Sequence, residues 1–173
     1  MAFEFDILYK LQELHHPILD KIMVAATTFG DGGIGWIILG LLLLIFKKTR
    51  KCGLLMLISM AVCFIIGNLG IKNIVGRIRP CHIDPSVPLL IPIPGEFSFP
   101  SGHTMHSFTA ATSILLQYKK GGIAAIVLAS LVAFSRMYLF VHYPTDILGG
   151  LLIGVAVAVL IYKIAGKINR RSL

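Results

Sequence analysis

The sequence is short of charge. Asp, Glu, Lys and Arg make up 14% of its 173 residues, whereas charged residues average about 25% in soluble domains. Hydrophobic residues make up 56%, above the average of about 45–50%. Too few polar side chains remain to cover a soluble globule, so the composition argues against an ordinary water-soluble domain. Only three cysteines are present. They lie at different depths relative to the apolar runs, so we expect structural thiols and no pair within the chain.

Other absences narrow the possible functions. The N-terminus has no basic region followed by an apolar core, so no cleavable signal peptide is predicted. No internal repeat or low-complexity tract is present. The chain has only eight acidic residues. Asp84 and Glu96 stand apart rather than in a cluster, so we expect no bound metal ion.

Long apolar runs are what the sequence does contain. Five runs without Asp, Glu, Lys or Arg approach the ~20 residues that span a bilayer core: 32–46, 53–71, 104–118, 121–135 and 147–162. A sixth apolar segment, 17–29, ends at the turn sequence GDGG. We therefore predict an all-α integral membrane protein. It is a single domain, 1–173, with about six transmembrane helices in 17–173.

The first 16 residues predict a different kind of helix. Apolar residues recur there at helical spacing beside charged ones, as in an amphipathic helix on the membrane surface: Ile7, Leu11, Leu14 and, just beyond, Ile18. Two interpretations of 17–29 remain open at this point. The segment is either a short first span, which we favour, or a continuation along the interface.

The net charge of +8 is unevenly distributed. Basic residues cluster at 47–51, at 119–120 and at 163–171. If each apolar run crosses the membrane, these clusters share one side, which the positive-inside rule makes cytoplasmic. The charge is thus explained by membrane topology, and we expect no nucleic-acid partner.

With that topology, three polar segments meet at the opposite face. In the first, KNIVGRIRP, Lys72 and Arg79 are seven residues apart and would share one face of a helix. Two cations without an acidic partner in the segment suit an anion such as phosphate. The alternative is a basic flank that snorkels to the interface.

The second polar segment, FPSGHTMHSF, opens a helix. Free N–H groups at a helix N-terminus favour an anion, and Gly102 allows it to approach closely. Ser101 suits an N-cap, a phosphate ligand, or both. His103 is placed to donate a proton to a leaving oxygen, whereas His106, one turn later, is expected to pack.

The third polar segment is SRMYLFVHYPTDILGG. Pro144 suits the first turn of the last helix, which places Asp146 near His142. A carboxylate beside an imidazole fixes its tautomer and raises its basicity, so His142 is a candidate nucleophile. The alternative is a capped helix beside an interfacial histidine. Gly150 and Gly154 form a GxxxG helix-packing pattern.

Together these segments resemble the signature of the type 2 phosphatidic acid phosphatase family, membrane lipid phosphatases related to vanadium haloperoxidases. The family pattern is K-x6-RP, then PSGH, then SR-x5-H-x3-D. This sequence matches it in order and spacing, at Lys72 to Arg79-Pro80, at 100–103, and at Ser135-Arg136 to His142 to Asp146. One departure is Phe140 in YLFVHYP, where the family commonly has glycine.

The resemblance implies a role for each matching residue. His142 would attack phosphorus and form a phosphohistidine, with Asp146 orienting it, and His103 would protonate the departing oxygen. The non-bridging oxygens would be held by Lys72, Arg79, Ser101, Gly102 and Arg136. Phosphoryl transfer depends chiefly on positioning and charge stabilisation, so fixed cations would serve without a metal or another cofactor.

The implied substrate is a membrane lipid phosphate or diphosphate. Candidates are undecaprenyl diphosphate, which we favour, phosphatidylglycerol phosphate, phosphatidic acid and the lipid A 1-phosphate. The expected location is the bacterial inner membrane, with the site facing outward. Two other functions would use the same cations. One is a transporter or lipid-binding protein that holds phosphate without hydrolysing it, and the other is haloperoxidase chemistry with vanadate in the phosphate site.

Overall fold

Every regular element is helical in residues 2–171, the part of the chain that the computed structural model describes, with side chains through 167. The helices are α1 (Ala2–Gln12), α2 (Pro17–Gly30), α3 (Ile34–Ile45), α4 (Arg50–Cys63), α5 (Lys72–Val75), α6 (Pro80–Ile83), α7 (Gly102–Leu115), α8 (Lys119–Tyr138) and α9 (Pro144–Arg171). A 3₁₀ turn, Asp31–Gly33, joins α2 to α3, and a π-helical segment, Phe64–Ile71, joins α4 to α5.

Helix α7 lies at the centre of the bundle. It packs against α4, α8 and α9, and its side chains from Thr104 to Ile114 are buried. Several of its hydroxyl side chains form hydrogen bonds within the bundle. Thr109 donates to the carbonyl of Met105 at 2.7 Å, and Ser107 accepts from the indole of Trp36 at 2.8 Å. This polar but fully enclosed helix is the frame on which the other elements are placed.

The outer helices direct apolar side chains away from the core. Exposed examples are Ile38, Leu41, Leu42, Ile45, Leu54, Ile65, Leu152 and Leu160. Four helical stretches are long and apolar enough to cross a membrane: Pro17–Ile45, Arg50–Ile83, Lys119–Tyr138 and Pro144–Lys167. An apolar surface of this extent suits lipid rather than water. The predicted all-α integral membrane fold is confirmed.

Helices α2 and α3 run in one direction through the bundle. Near the start of α2, Asp20 accepts a hydrogen bond from the Tyr138 hydroxyl at the end of α8, at 2.6 Å. At the end of α2, Gly30 lies against Val132, six residues earlier on α8. Helix α3 then continues past α7, where its Trp36 reaches the core.

The GDGG turn therefore bends the path of the chain without reversing it. Gly32 and Gly33 have φ values of 58° and 72°, a conformation that glycine adopts at little cost. Residues 17–45 thus form one apolar helical stretch, Pro17–Ile45, and the count of six crossings stays a prediction.

The two ends of the bundle differ in charge. At one end the Tyr118 hydroxyl donates to the carbonyl of Lys48 at 2.5 Å, which brings the basic segments 47–51 and 119–120 together. Helix α9 starts at the other end, with Pro144 in its first turn as predicted, and runs 28 residues towards the basic end. The three polar segments gather at the Pro144 end.

Two short helices lie between residues 71 and 103. Helix α5 ends at Gly76, which has a left-handed φ of 57°, and α6 begins at Pro80, a residue suited to a first helical position. Lys72 and Arg79 therefore do not share one helix, contrary to expectation. They converge because the chain turns between them. The remainder, 84–101, is irregular, and its prolines disfavour a regular helix there.

Helix α1 packs against the Pro144 end of the bundle. Its Leu8 is fully buried, Gln12 donates to the carbonyl of Tyr138 at 3.1 Å, and Tyr9 donates to Asp84 at 2.7 Å. The helix is shorter than the predicted 1–16, and its location on the membrane surface stays a prediction. The three cysteines are buried free thiols, in agreement with the sequence analysis.

Candidate active site

The three polar segments line one cavity of about 660 Å³. The predicted site residues in its walls are Lys72, Arg79, Gly102, His103, Arg136 and His142. The loop 90–94, with Leu90, Ile91 and Ile93, adds an apolar wall. Asp146 and Ser101 are completely buried behind this surface. The structure therefore brings all eight predicted residues to one place, six at the cavity and two behind it.

His142 and Asp146 form the predicted pair. Helix α9 begins just before Asp146, whose Oδ2 lies 3.4 Å from Nδ1 of His142. Two further donors reach the same oxygen, the Ser98 hydroxyl at 2.5 Å and the Tyr143 backbone N–H at 2.9 Å. Hydrogen bonds of this kind favour the carboxylate form. They also fix the direction in which Asp146 faces the imidazole.

The second nitrogen of His142 faces the cations of the cavity. Its Nε2 lies 2.9 Å from Nη1 of Arg79, and a guanidinium can only donate. Nε2 must therefore accept, which places the ring proton on Nδ1, towards Asp146. In this tautomer Nε2 carries the lone pair that a nucleophile requires.

Burial holds the pKa of His142 well below its usual value of about 6.5. The side chain is almost completely enclosed, and the charges of Arg79 and Arg136 act in the same direction. Asp146 opposes them by favouring the protonated ring. The net result is an imidazole that is neutral at pH 7, the form able to attack.

Arg79 and Arg136 place positive charge at the cavity wall. Arg79 is fixed by bonds to the carbonyls of Glu96 (2.6 Å) and Val141 (2.9 Å). Arg136 donates to the hydroxyl of Thr27, and its Nε has no hydrogen-bond partner among the side chains and backbone that the structure describes. Within residues 2–167, neither guanidinium has a carboxylate in ion-pair contact. Their charge is therefore available to an anion.

Two carboxylates also reach the cavity. Glu96 accepts from Nζ of Lys72 at 2.5 Å, and this hydrogen bond holds the pKa of Glu96 below its usual range. Oδ1 of Asp31 lies 2.8 Å from Nε2 of His103. The 3₁₀ turn after α2 carries Asp31 to this position. One cation and the candidate acid therefore each have an anionic partner.

The N-terminus of α7 is capped as predicted. Oγ of Ser101 accepts from the backbone N–H of Thr104 at 3.4 Å and from its hydroxyl at 3.0 Å. Because Ser101 faces away from the cavity, its role as a phosphate ligand stays a prediction. Gly102 does line the cavity, where an added Cβ would lie 3.4 Å from the Asn68 amide. His106 packs as expected, with its ring stacked near Phe64.

The structure adds residues that sequence reasoning assigned no role: Asp31, Arg77, Glu96 and Ser98. Arg77 donates to Oδ1 of Asp146 at 2.7 Å. Only Arg77 had a sequence cue, as a second arginine in GRIRP. The others have partners 24 to 72 positions away in the chain. A single sequence does not reveal such long-range pairs.

Fold and site together define an integral membrane protein with a buried histidine–aspartate pair beside a cavity lined by cations. Known proteins are similar to it in sequence and fold. A sequence profile described as "PAP2 superfamily" matches residues 50–170. An undecaprenyl-diphosphatase from Sulfolobus acidocaldarius is 37% identical over 137 residues, which cover 79% of this chain and 66% of that protein.

Two further matches cover a larger share of the related protein. A decaprenylphosphoryl-5-phosphoribose phosphatase from Mycobacterium tuberculosis is 34% identical over 144 residues, covering 82% of this chain and 78% of that protein. The crystal structure of a transmembrane PAP2-type phosphatidylglycerolphosphate phosphatase from Bacillus subtilis matches with a TM-score of 0.78 at 28% identity. That match covers 96% of this chain and 86% of the other.

The chain belongs to the PAP2 superfamily. The resemblance seen in the sequence motifs is confirmed, and it places the protein among membrane lipid phosphatases.

Proposed function

We propose that the protein hydrolyses a lipid phosphate or diphosphate through a phosphohistidine formed at Nε2 of His142. One observation carries the proposal. Nε2 of a neutral, buried imidazole points at Arg79 in a cavity lined by three cations, while Asp146 holds the opposite side of the ring. This arrangement suits in-line attack on a bound phosphoryl group.

In the first step, Nε2 of His142 forms a bond to phosphorus as the bond to the lipid oxygen breaks. His103 gives its proton to that oxygen, so the leaving group departs as an alcohol or, from a diphosphate, as a lipid monophosphate. Lys72, Arg79 and Arg136 stabilise the negative charge on the non-bridging oxygens. The Gly102 N–H, at the positive end of α7, adds to this stabilisation, and Ser101 caps that helix end from behind the cavity.

In the second step, a water molecule attacks the phosphohistidine. His103 accepts the proton of that water, the bond from nitrogen to phosphorus breaks, and inorganic phosphate leaves. Asp31 is 2.8 Å from His103 and holds its ring through both steps. No step requires a metal ion or cofactor.

We place the cavity on the extracytoplasmic side, because the basic clusters lie at the other end of the bundle. The helix directions favour five crossings, with α1 on the outer surface beside the cavity. The crossings are formed by α2 with α3, by α4 with the π-helical segment, and by α7, α8 and α9. A bacterial inner membrane is the expected location.

Among substrates we favour a polyprenyl phosphate, with undecaprenyl diphosphate first. The support comes from two relatives, whose names specify undecaprenyl and decaprenyl lipids, and from the apolar loop 90–94 at the cavity. Phosphatidylglycerol phosphate, phosphatidic acid and the lipid A 1-phosphate are the other candidates.

Release of inorganic phosphate by the purified protein tests this function. The assay compares the four candidate lipids in detergent with EDTA present, and uses His142→Ala as the blank. We expect wild-type protein to hydrolyse at least one lipid in EDTA. His142→Ala should lose on the order of 10³-fold or more, because no other group replaces the nucleophile. Rapid quenching should trap an acid-labile phosphoprotein in wild type alone.

Several results would refute the proposal. Lipid binding without phosphate release would favour the transporter. Bromide oxidation with added vanadate would favour haloperoxidase chemistry. Activity that disappears in EDTA and returns with Mg²⁺ would rule out the metal-independent mechanism.

A further inference from the structure

Arg77 lies in the segment that supplies two cations of the cavity, yet it faces another way. Its Nη1 donates to Oδ1 of Asp146 at 2.7 Å and to the Thr145 hydroxyl at 2.6 Å. Its Nη2 donates to Oε2 of Glu4 at 2.6 Å. The guanidinium lies 3.9 Å from the ring centroid of Tyr143. Arg77 is therefore held behind the histidine–aspartate pair, where it does not line the cavity.

Asp146 depends on this contact. The carboxylate is completely buried, and Oδ2 is occupied by Ser98, the Tyr143 N–H and His142. Within the described residues, Arg77 is the one side chain that donates to Oδ1. A buried carboxylate left without a cation is costly. It would take up a proton or turn away, and either change would release the ring of His142.

Glu4 completes the arrangement from α1. Its Oε1 accepts from the Thr145 hydroxyl at 2.5 Å while its Oε2 binds Arg77. Glu4 is buried although it carries charge. The helix is held in place beside it, since Phe5 packs edge-on against Tyr143 with 5.6 Å between ring centroids. The N-terminal helix is thus joined directly to the first turn of α9.

We propose that Glu4 of α1 and Arg77 are positioning residues that hold Asp146 and, through it, His142. The charges alternate from Glu4 to Arg77 to Asp146. Glu4 shares the guanidinium, so that Arg77 ties Asp146 in place without cancelling its attraction for His142. This inference rests on the proposed role of His142 as the nucleophile.

Kinetics of four variants test the proposal: Arg77→Ala, Arg77→Lys, Glu4→Gln and Tyr9→Phe. The substrate is the panel lipid that wild type hydrolyses fastest. We expect kcat to fall about 10²-fold in Arg77→Ala and several-fold in Glu4→Gln, because small displacements of a reacting group cost rates of this order. Arg77→Lys keeps the charge but lacks the planar guanidinium that contacts Asp146 and Glu4 at the same time. Its kcat should therefore lie between those of wild type and Arg77→Ala.

Inhibition by inorganic phosphate separates positioning from binding. Neither Arg77 nor Glu4 lines the cavity, so the inhibition constant should stay within about twofold of wild type. Tyr9→Phe is the matched control, since it removes another hydrogen bond of α1, the 2.7 Å bond to Asp84. Its kcat should change less than about twofold. Glu4→Gln is nearly isosteric and covers the case in which Arg77→Ala fails to fold.

Three kinetic outcomes would overturn the proposal. One is unchanged kcat in both Glu4→Gln and Arg77→Ala. Another is a loss in Tyr9→Phe as large as that in Glu4→Gln, which would indicate general docking of α1. The third is a phosphate inhibition constant that rises in Arg77→Ala as much as kcat falls, which would indicate direct contact with phosphate.

A spectroscopic measurement is independent of turnover. Nitrogen NMR of histidine-labelled protein, with the His142 signal assigned through His142→Gln, reports which ring nitrogen carries the proton. We expect a single Nδ1–H tautomer in wild type and a mixture in Arg77→Ala. Unchanged signals in that variant would contradict the positioning role. If wild type hydrolyses no lipid, the proposed function fails, and this spectrum still decides the inference.

Discussion

At the residue scale, the proposed mechanism makes the pH range of the reaction depend on the surroundings of His142. Burial, aided by Arg79 and Arg136, lowers the pKa of His142. The imidazole therefore stays neutral at pH values somewhat below about 6.5, the usual pKa of histidine. It is protonated, and loses its nucleophilic lone pair, only in more acidic solution. The acid limb of kcat/KM, which reports the free enzyme, should have an apparent pKa below about 6.5.

Arg79→Gln provides the matching variant. Removing a positive charge 2.9 Å from Nε2 should raise the pKa of His142, so the acid limb should move to higher pH while the maximum rate falls. Both proteins are assayed on the same lipid, so ionisation of the substrate affects the two profiles equally. A limb that does not move in Arg79→Gln would contradict this account.

At the scale of elements, the contact between α7 and α9 holds the site together. A Cβ on Gly150 would lie 2.7 Å from the carbonyl oxygen of Ser101, and one on Gly154 would lie 2.5 Å from that of Met105. The same contact places the Ser101 N–H 3.1 Å from the carbonyl oxygen of Asp146. The GxxxG pattern is therefore the point where α9 meets the backbone of α7.

Gly154→Ala should force the two helices apart. Overpacking of this kind costs about 1–3 kcal/mol, and we expect a melting temperature several degrees below wild type in detergent, with reduced kcat. Gly166→Ala, on the same helix, is the control, because an added Cβ there has no neighbour within 4 Å. Equal melting temperatures for the two variants would show that the close contact between α7 and α9 does not limit the stability of the protein.

At the scale of the whole molecule, the two ends of the bundle should face different compartments. Single cysteines at Pro92 and Lys10 lie at the cavity end, whereas one at Lys48 lies at the basic end. The native cysteines are buried, so they should contribute little background. In intact cells, an impermeant maleimide should label Pro92→Cys and Lys10→Cys but spare Lys48→Cys.

Labelling of Lys10→Cys, in α1, distinguishes six membrane crossings from five. With six crossings the N-terminus would be cytoplasmic, so Lys10→Cys would be protected while Pro92→Cys reacts. With five crossings both react. Labelling of Lys48→Cys alone would overturn the extracytoplasmic assignment of the cavity.

Part of the site was predictable because its residues carry their chemistry in local spacing. Lys72, Arg79, His103, His142 and Asp146 were all found from short motifs. The sequence also predicted Pro144 as a helix start and Ser101 as a cap, since both depend on neighbours within four residues. It did not predict the direction of α3 after the GDGG turn, because a glycine turn permits reversal and bending alike.

By itself, the sequence determined that this protein is a helical membrane protein of the PAP2 superfamily and predicted its site residues, because hydropathy and motif spacing are local properties of the chain. Tertiary structure alone decided that α2 and α3 share one path, and that α1 reaches the catalytic pair. Glu4, Arg77 and Asp146 are separated by 73 and 69 positions. Their contact exists only after burial has paired their opposite charges.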